Sequence, residues 1–285
     1  MARATKDKLT PHDTLDRYRL VNRIAISKAC EIWEAEHSRS RKTCVIKVLS
    51  PPLSGNAAQI KLLKHEFNIA SDLKQELIIE MHEYGEAKGL AYIAMEHFPG
   101  SNLKLWNHER GPESSGLVPQ IIVNMATALQ YVHQQGIIHR DVKPDNFLVN
   151  DVAQVKLIDF ALAKKIRGWF GRLIDGGTKA QGTLSYMSPE QIRNQNQDQR
   201  SDIYGFGCVV YELISGKPPY AANNPNNLLN KHLRSPIPSL RTTDANVTDS
   251  FAAVVQEMLA KQPDDRPASL DEVLTRIRSG RVFQD

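Results

Sequence analysis

The sequence contains little cysteine. Its three cysteines, Cys30, Cys44 and Cys208, lie far apart and form no C-x-x-C pair. An odd number of scattered cysteines excludes a disulfide framework, and without a C-x-x-C pair nothing indicates a cysteine-based metal site. We therefore expect a reduced compartment and a cytoplasmic protein.

Long hydrophobic runs are missing as well. No uninterrupted apolar stretch approaches the roughly 18 residues of a membrane span. Residues 1–16 have no apolar core segment, so we expect no secretory signal peptide in them and a flexible N-terminal tail. We expect no membrane segment in this chain, while an anchor outside it stays open.

The excess of positive charge is small. A formal net charge of +4 over 285 residues is too weak to indicate nucleic acid as a partner, but it suits an acidic ligand such as a nucleotide. The hydrophobic content of 41% and the charged content of 24% are ordinary for a globular protein. The length allows one large domain or two smaller lobes.

The pattern of apolar residues changes along the chain. Residues 17–95 favour short strands, among them 44–49 and 90–95, with one helix over 57–74. Phe98-Pro99-Gly100 predicts a joint over 96–101, and residues 102–280 are mostly of helical periodicity. The sequence therefore predicts an α+β fold with a small β-rich lobe and a larger helical lobe.

One polar segment, HRDVKPDN at 139–146, lies between apolar ones, and its proline excludes a regular helix. The next residues predict a hairpin of strands 147–149 and 155–158, which would bring Asn146 beside Asp159. An amide oxygen next to a carboxylate suits a hard cation such as Mg²⁺. Asp141 and Lys143 lie on the same loop, so the segment combines a base, a cation and two metal ligands.

This segment resembles the catalytic loop of eukaryotic-like protein kinases of the bacterial type. A single such motif is a weak indication, but further motifs follow in the family's order over roughly residues 17–278. They are VIK at 45–47, Glu66, DFA at 159–161, GTLSYMSPE at 182–190, SDIYGFG at 201–207 and DRP at 265–267. The resemblance implies a bilobal kinase fold.

The resemblance also implies an activity, the transfer of the γ-phosphate of ATP to serine or threonine hydroxyls of proteins. Asp141 would accept or orient the hydroxyl proton, and Lys143, typical of the serine/threonine branch, would screen the γ-phosphate. Asn146 and Asp159 would hold Mg²⁺. Lys47 would contact the α- and β-phosphates, held by Glu66.

Further nucleotide contacts are implied in the first lobe. The backbone carbonyl of Glu96 and the N–H of Phe98 would bind adenine, with Met95 as gatekeeper, and Ile24 and Ile32 flank the phosphate loop. These apolar side chains could equally be simple core residues.

The segment from Asp159 to Glu190 would be the activation segment. Arg140 implies a pocket for a phosphate on it. Thr178 is predicted as its autophosphorylation site, and Thr183 as a structural partner of Asp141. Its basic residues suit anion or substrate docking as well as a solvated loop; they are Lys164, Lys165, Arg167, Arg172 and Lys179.

The pattern departs from the family in the phosphate loop. The three expected glycines are replaced by Ala25, Ser27 and Cys30, and Ala161 stands where DFG has its glycine. The replacements are small and none is proline, so every N–H donor survives. A working kinase with slow turnover or weak ATP binding is therefore predicted.

Two alternatives stay open from the sequence. A pseudokinase scaffold is favoured by the loop without glycine and by Ala161. A small-molecule phosphotransferase of the aminoglycoside-kinase type would share the base and the metal ligands, but not the 182–190 segment or a Glu190–Arg266 pair. The protein substrate, the activating signal and the oligomeric state are not determined.

Overall fold

The computed structural model describes residues 8–166 and 184–284, apart from the side chains of 112 and 113. The chain divides into two compact units, 1–99 with 159–161 and 100–158 with 162–285. The division after Pro99 falls within the range 96–101 in which the joint is predicted.

The first unit is built on a six-stranded antiparallel sheet in the order β1-β2-β3-β4-β6-β5. The strands are β1 Thr14–Leu15, β2 Tyr18–Ile26, β3 Cys30–His37, β4 Thr43–Leu49, β5 Met81–Ala87 and β6 Leu90–Glu96. The helix α1 spans Ala57–Ala70 and is capped by Asn56, whose side chain accepts from the N–H groups of Ala58 and Gln59. It ends four residues before the predicted end at 74.

Alternation along β4 decides which side chains face the core. Cys44, Ile46 and Val48 are buried in one apolar cluster, while Lys47 lies on the opposite face of the strand. Leu9 and Leu15 are also in this cluster, 2% and 0% exposed. The described part of the predicted tail is therefore packed against the sheet. The sequence does not predict this burial, because two isolated leucines in a polar segment show no periodicity.

Gly85 on β5 lies opposite Tyr92 on β6, and a Cβ at position 85 would come within 2.4 Å of the tyrosine ring. The ring cannot easily move, because Tyr92 is 1% exposed and its hydroxyl donates to Asp16 at 2.8 Å. We expect Gly85→Ala to destabilise the protein by about 1–3 kcal/mol through overpacking. Urea unfolding measures this change.

Gly55→Ala is the matched control in the same unit, because no atom lies within 4 Å of its added Cβ. Its stability should stay within about 1 kcal/mol of wild type. Equal stabilities of the two variants would contradict the tight contact between Gly85 and Tyr92.

The second unit is mainly helical. Its helices are α2 Leu103–Glu109, α3 Val118–Gln134, α4 Pro189–Ile192, α5 Gln199–Ser215, α6 Pro225–Arg234, α7 Asp249–Met258 and α8 Leu270–Ser279. Its short strands are β7 Ser101–Asn102, β8 Ile137–Ile138, β9 Phe147–Val149, β10 Val155–Leu157 and β11 Lys164–Lys165. None of the helices in the described ranges is both long and apolar enough to cross a membrane.

Helix α5 is the central helix of this unit. Its residues from Ser201 to Tyr211 are all buried, so it is packed on every side. It ends at Gly216, whose φ of 75° is the left-handed conformation that glycine adopts at low cost. The predicted α+β class, with one major helix in the β-rich unit and a larger helical unit, is confirmed.

Candidate active site

The first unit holds a half-buried lysine between two carboxylates. Lys47 Nζ lies 2.8 Å from both carboxylate oxygens of Glu66 and 3.5 Å from Asp159 Oδ1. The alternation of β4 turns the lysine away from the apolar cluster, and Glu66 projects from α1, where it is 2% exposed. A carboxylate on a buried helix stripe is thus explained by a cation nineteen residues earlier in the chain.

Charge and burial act in opposite directions on this lysine. Burial alone lowers the pKa of Lys47, but the carboxylates of Glu66 and Asp159 hold that pKa well above its usual value. The side chain is therefore an ammonium at neutral pH. A fixed positive charge of this kind can bind an oxyanion such as a phosphate.

Asp159 adopts an uncommon backbone conformation, with φ of 63°. Its Oδ1 accepts from the N–H of Ala161 at 3.3 Å, and Phe160 beside it is fully buried. Ala161 itself has no positive φ. Alanine in place of glycine therefore needs no strained dihedral angle here.

The residues predicted to contact the nucleotide also lie in the first unit. Ile24 is 55% exposed on β2, and Ile32 is half-buried on β3. Met95 is buried on β6, beside Val45 of β4. The N–H of Glu96 donates to the carbonyl of Glu80, at 2.9 Å.

Phe98 follows β6 and is half-buried. Its backbone N–H has no acceptor within the described ranges. The donor is available to a ligand.

The second unit holds the loop 139–146. Asp141 Oδ2 accepts from Lys143 Nζ at 2.7 Å and from Asn146 Nδ2 at 3.0 Å. Its Oδ1 has no donor within the described ranges, and the side chain is 13% exposed. One carboxylate oxygen is thus held in place, while the other is left to accept a proton or hydrogen bond from a ligand.

Asn146 is fixed by its own amide. Its Nδ2 also donates to the carbonyl of Asp141 at 2.8 Å, which leaves Oδ1 as its possible metal ligand. The predicted hairpin is present, with Phe147 of β9 paired to Leu157 of β10. Ile158 N then donates to Asn146 O at 2.9 Å, and Asp159 follows directly in the chain.

Asp202 on α5 anchors this loop, a role that the sequence analysis missed. Its carboxylate accepts the backbone N–H groups of His139 and Arg140, both at 2.8 Å, and the His133 ring nitrogen at 2.8 Å. Burial alone raises the pKa of Asp202, but these hydrogen bonds and the nearby histidines hold it below its usual value. The sequence signal that could have indicated this role is a carboxylate within a mostly apolar helical stretch.

The side chain of Arg140 donates to a neutral amide within the described ranges. Its Nε donates to Gln197 Oε1 at 2.9 Å, and its carbonyl accepts from Gln191 Nε2 at 2.9 Å. The predicted phosphosite Thr178 and the predicted structural Thr183 lie outside the described residues. The phosphate pocket at Arg140 stays a prediction.

Glu190 and Arg266 form a buried bidentate pair. Arg266 Nη1 and Nη2 donate to the two carboxylate oxygens of Glu190 at 2.7 and 2.9 Å, and the arginine side chain is 0% exposed. Ser201 Oγ donates to the same carboxylate at 2.7 Å. The pair fixes the end of the 182–190 segment to the helical unit.

Comparison with known proteins shows the family to which the chain belongs. The family model described as protein kinase domain matches residues 18–276. Serine/threonine-protein kinase PknB of Mycolicibacterium smegmatis is 34% identical over 281 residues, covering 96% of this chain and 45% of the relative. Serine/threonine-protein kinase PknH of Mycobacterium bovis is 34% identical over 243 residues, covering 85% and 40%.

Solved structures of kinase domains share this fold. The crystal structure of the Mycobacterium tuberculosis PknI kinase domain superposes with a TM-score of 0.73 and 25% identity, covering 95% of this chain and 98% of that one. The predicted kinase fold is thereby confirmed. The chain spans less than half the length of the curated relatives PknB and PknH. Because the family model matches most of its length, the chain belongs to the protein kinase domain family.

Proposed function

We propose that this chain transfers the γ-phosphate of ATP to serine or threonine hydroxyls of proteins. The observation that supports this most is the loop 139–146, in which Lys143 and Asn146 hold one oxygen of Asp141 and leave the other available. Similarity to serine/threonine kinases supports the same acceptor class. The alternative of a scaffold without turnover has no support in these comparisons, and Glu190 and Arg266 form the pair that the small-molecule phosphotransferases would not share.

In this mechanism, the chain positions groups and neutralises charge, because phosphoryl transfer needs little covalent chemistry from a protein. Lys47, fixed by Glu66, binds the α- and β-phosphates. Asp141 accepts the proton of the substrate hydroxyl, and Lys143 stabilises charge on the transferred group. Glu96 and Phe98 offer backbone groups to adenine, beside Met95, with Ile24 and Ile32 as apolar contacts.

The oxygen donors present fit a magnesium ion. Asn146 Oδ1 and the Asp159 carboxylate are hard ligands, and Mg²⁺ is typically held by one or two protein groups together with substrate phosphates. Bound there, Mg²⁺ would neutralise phosphate charge. Within the described ranges, no cluster of three or more His, Cys, Asp or Glu side chains offers a site made of protein groups alone.

The boundaries 17–95, 96–101 and 102–280 are proposed for the first lobe, the hinge and the second lobe. The cytoplasmic location also stays a prediction.

Phosphate transfer from Mg-ATP labelled at the γ position to a generic basic protein tests this function. We expect label on serine or threonine, and we expect Lys47→Met to lower kcat/KM for ATP by about tenfold to a hundredfold, the effect of one lost hydrogen bond to a charged phosphate. Phosphoamino-acid analysis and initial rates are the measurements.

Lys42→Met is the control, because Lys42 is an exposed lysine just before β4. It should behave as wild type. Wild-type protein that binds Mg-ATP but transfers no phosphate would contradict the proposed function.

A further inference from the structure

The phosphate loop closes without glycine. Strand β2 ends at Ile26 and β3 begins at Cys30, with Ile26 paired to Glu31. None of the residues from 25 to 30 has a positive φ. The turn therefore takes no conformation that would require a glycine.

Ser27 forms three hydrogen bonds with Cys30 across this turn. Its Oγ accepts from the N–H of Cys30 at 2.9 Å and donates to the carbonyl of Cys30 at 3.0 Å, while its own N–H donates to that carbonyl at 2.8 Å. A hydroxyl can donate and accept at once, so both side-chain bonds can exist together. Ser50 N, just after β4, also donates to Ala29 O at 2.8 Å.

These bonds divide the N–H groups of the turn into two sets. Those of Ser27 and Cys30 are used internally, whereas those of Lys28 and Ala29 at the tip have no acceptor within the described ranges. Successive N–H groups at a turn favour an anion. The turn thus presents the N–H groups of Lys28 and Ala29 to a ligand, while those of Ser27 and Cys30 are hydrogen-bonded within the turn.

Cys30 adds no charge to this arrangement. Burial raises the pKa of its thiol to about 11, so the side chain is neutral at pH 7. The Cβ and sulfur occupy space beside the Lys47 face of the sheet, since Cys30 and Ile32 alternate with Glu31 and Ile32 is paired with Lys47.

We propose that Ser27 is a positioning residue for ATP. Its hydroxyl fixes the turn that other kinases form with glycine, and so holds the N–H groups of Lys28 and Ala29 ready for the nucleotide phosphates. This inference rests on the proposed function of the chain. A turn ordered before binding loses less conformational entropy when the ligand binds.

Ser27→Ala tests the proposal. Losing the side-chain bonds should raise KM and Kd for Mg-ATP by about fivefold to tenfold. The kcat should change by less than about twofold, because the base is elsewhere. Ser27→Thr keeps the hydroxyl and should restore KM. Ser27→Gly restores the family's residue, yet it should weaken ATP binding at least as much as alanine does.

Ser54→Ala is the control, since the Ser54 side chain makes no hydrogen bond within the described ranges. Amide exchange of the Cys30 N–H without nucleotide gives a readout independent of turnover, and it should be faster in Ser27→Ala than in wild type. Unchanged KM and exchange in Ser27→Ala, or tighter ATP binding by Ser27→Gly, would overturn the inference alone. Wild-type protein that binds no ATP would overturn the proposed function as well.

Discussion

Asp141→Asn is expected to lower kcat for phosphate transfer by about a thousandfold, within the range for loss of a general base. Asparagine can keep the contacts at 2.7 and 3.0 Å to Lys143 and Asn146 only in part, and it cannot accept the proton of a substrate hydroxyl. Single-turnover transfer from labelled Mg-ATP gives the rate of the chemical step.

Binding of ATP should survive this change. Lys47 and Glu66, the groups proposed to hold the nucleotide phosphates, belong to the other compact unit. We therefore expect the Kd for Mg-ATP to change by less than about threefold, since the lost interaction is one made in the transition state. Asp151→Asn, an exposed carboxylate in the neighbouring turn, is the matched control and should keep full activity. Transfer by Asp141→Asn at the wild-type rate would refute the assignment of the base.

Arg266→Met should destabilise the protein by about 3–5 kcal/mol, because it leaves a buried carboxylate without its partner. Glu190 is 3% exposed, and Arg266 also donates to the carbonyl of Ala260 at 2.8 Å and lies 4.9 Å from the ring of Tyr204. Urea unfolding at pH 7 measures the loss.

Arg276→Met provides the comparison on the surface. Arg276 pairs with Glu257, but the two side chains are 33% and 44% exposed, so water already solvates both charges. This substitution should cost no more than about 1 kcal/mol. If both variants lost the same stability, the buried pair would have no special role.

The effect of Arg266→Met should depend on pH. Burial alone raises the pKa of Glu190, but the hydrogen bonds and charge of Arg266, together with Ser201, hold it below its ordinary 4.5. A lowered pKa in the folded state means that the ionised carboxylate stabilises the fold above about pH 4.5, and that this stability is lost as the pH falls through the folded-state pKa. The stability gap between wild type and variant should therefore shrink in acid.

Local sequence patterns predict much of the secondary structure. The hairpin after Asn146 follows from two short apolar runs around a polar turn, and α5 follows from its apolar periodicity with Gly216 at its end. Both depend on residues close together in the chain, so the sequence contains the information directly. The fold class then follows from the order of strands and helices.

Contacts between distant residues were harder to predict. Asp202 accepts from the backbone N–H groups of His139 and Arg140, 63 and 62 residues away. A carboxylate within an apolar helix indicates that it has a partner, but the local pattern does not show which groups these are. Leu9 and Leu15 are buried in a cluster whose other members lie at residues 18 to 94. Burial of this kind depends on what the rest of the chain packs against a residue.

The sequence by itself determined the family, the order of elements and the chemical groups that phosphate transfer needs. Only the tertiary structure decided the protonation of Lys47, the two hydrogen bonds that hold one oxygen of Asp141, and the hydroxyl that closes the turn at Ser27. The physical reason is that periodicity and motif spacing are properties of neighbours in the chain. Charge state, burial and hydrogen-bond partners are set by groups that meet only when the chain has folded.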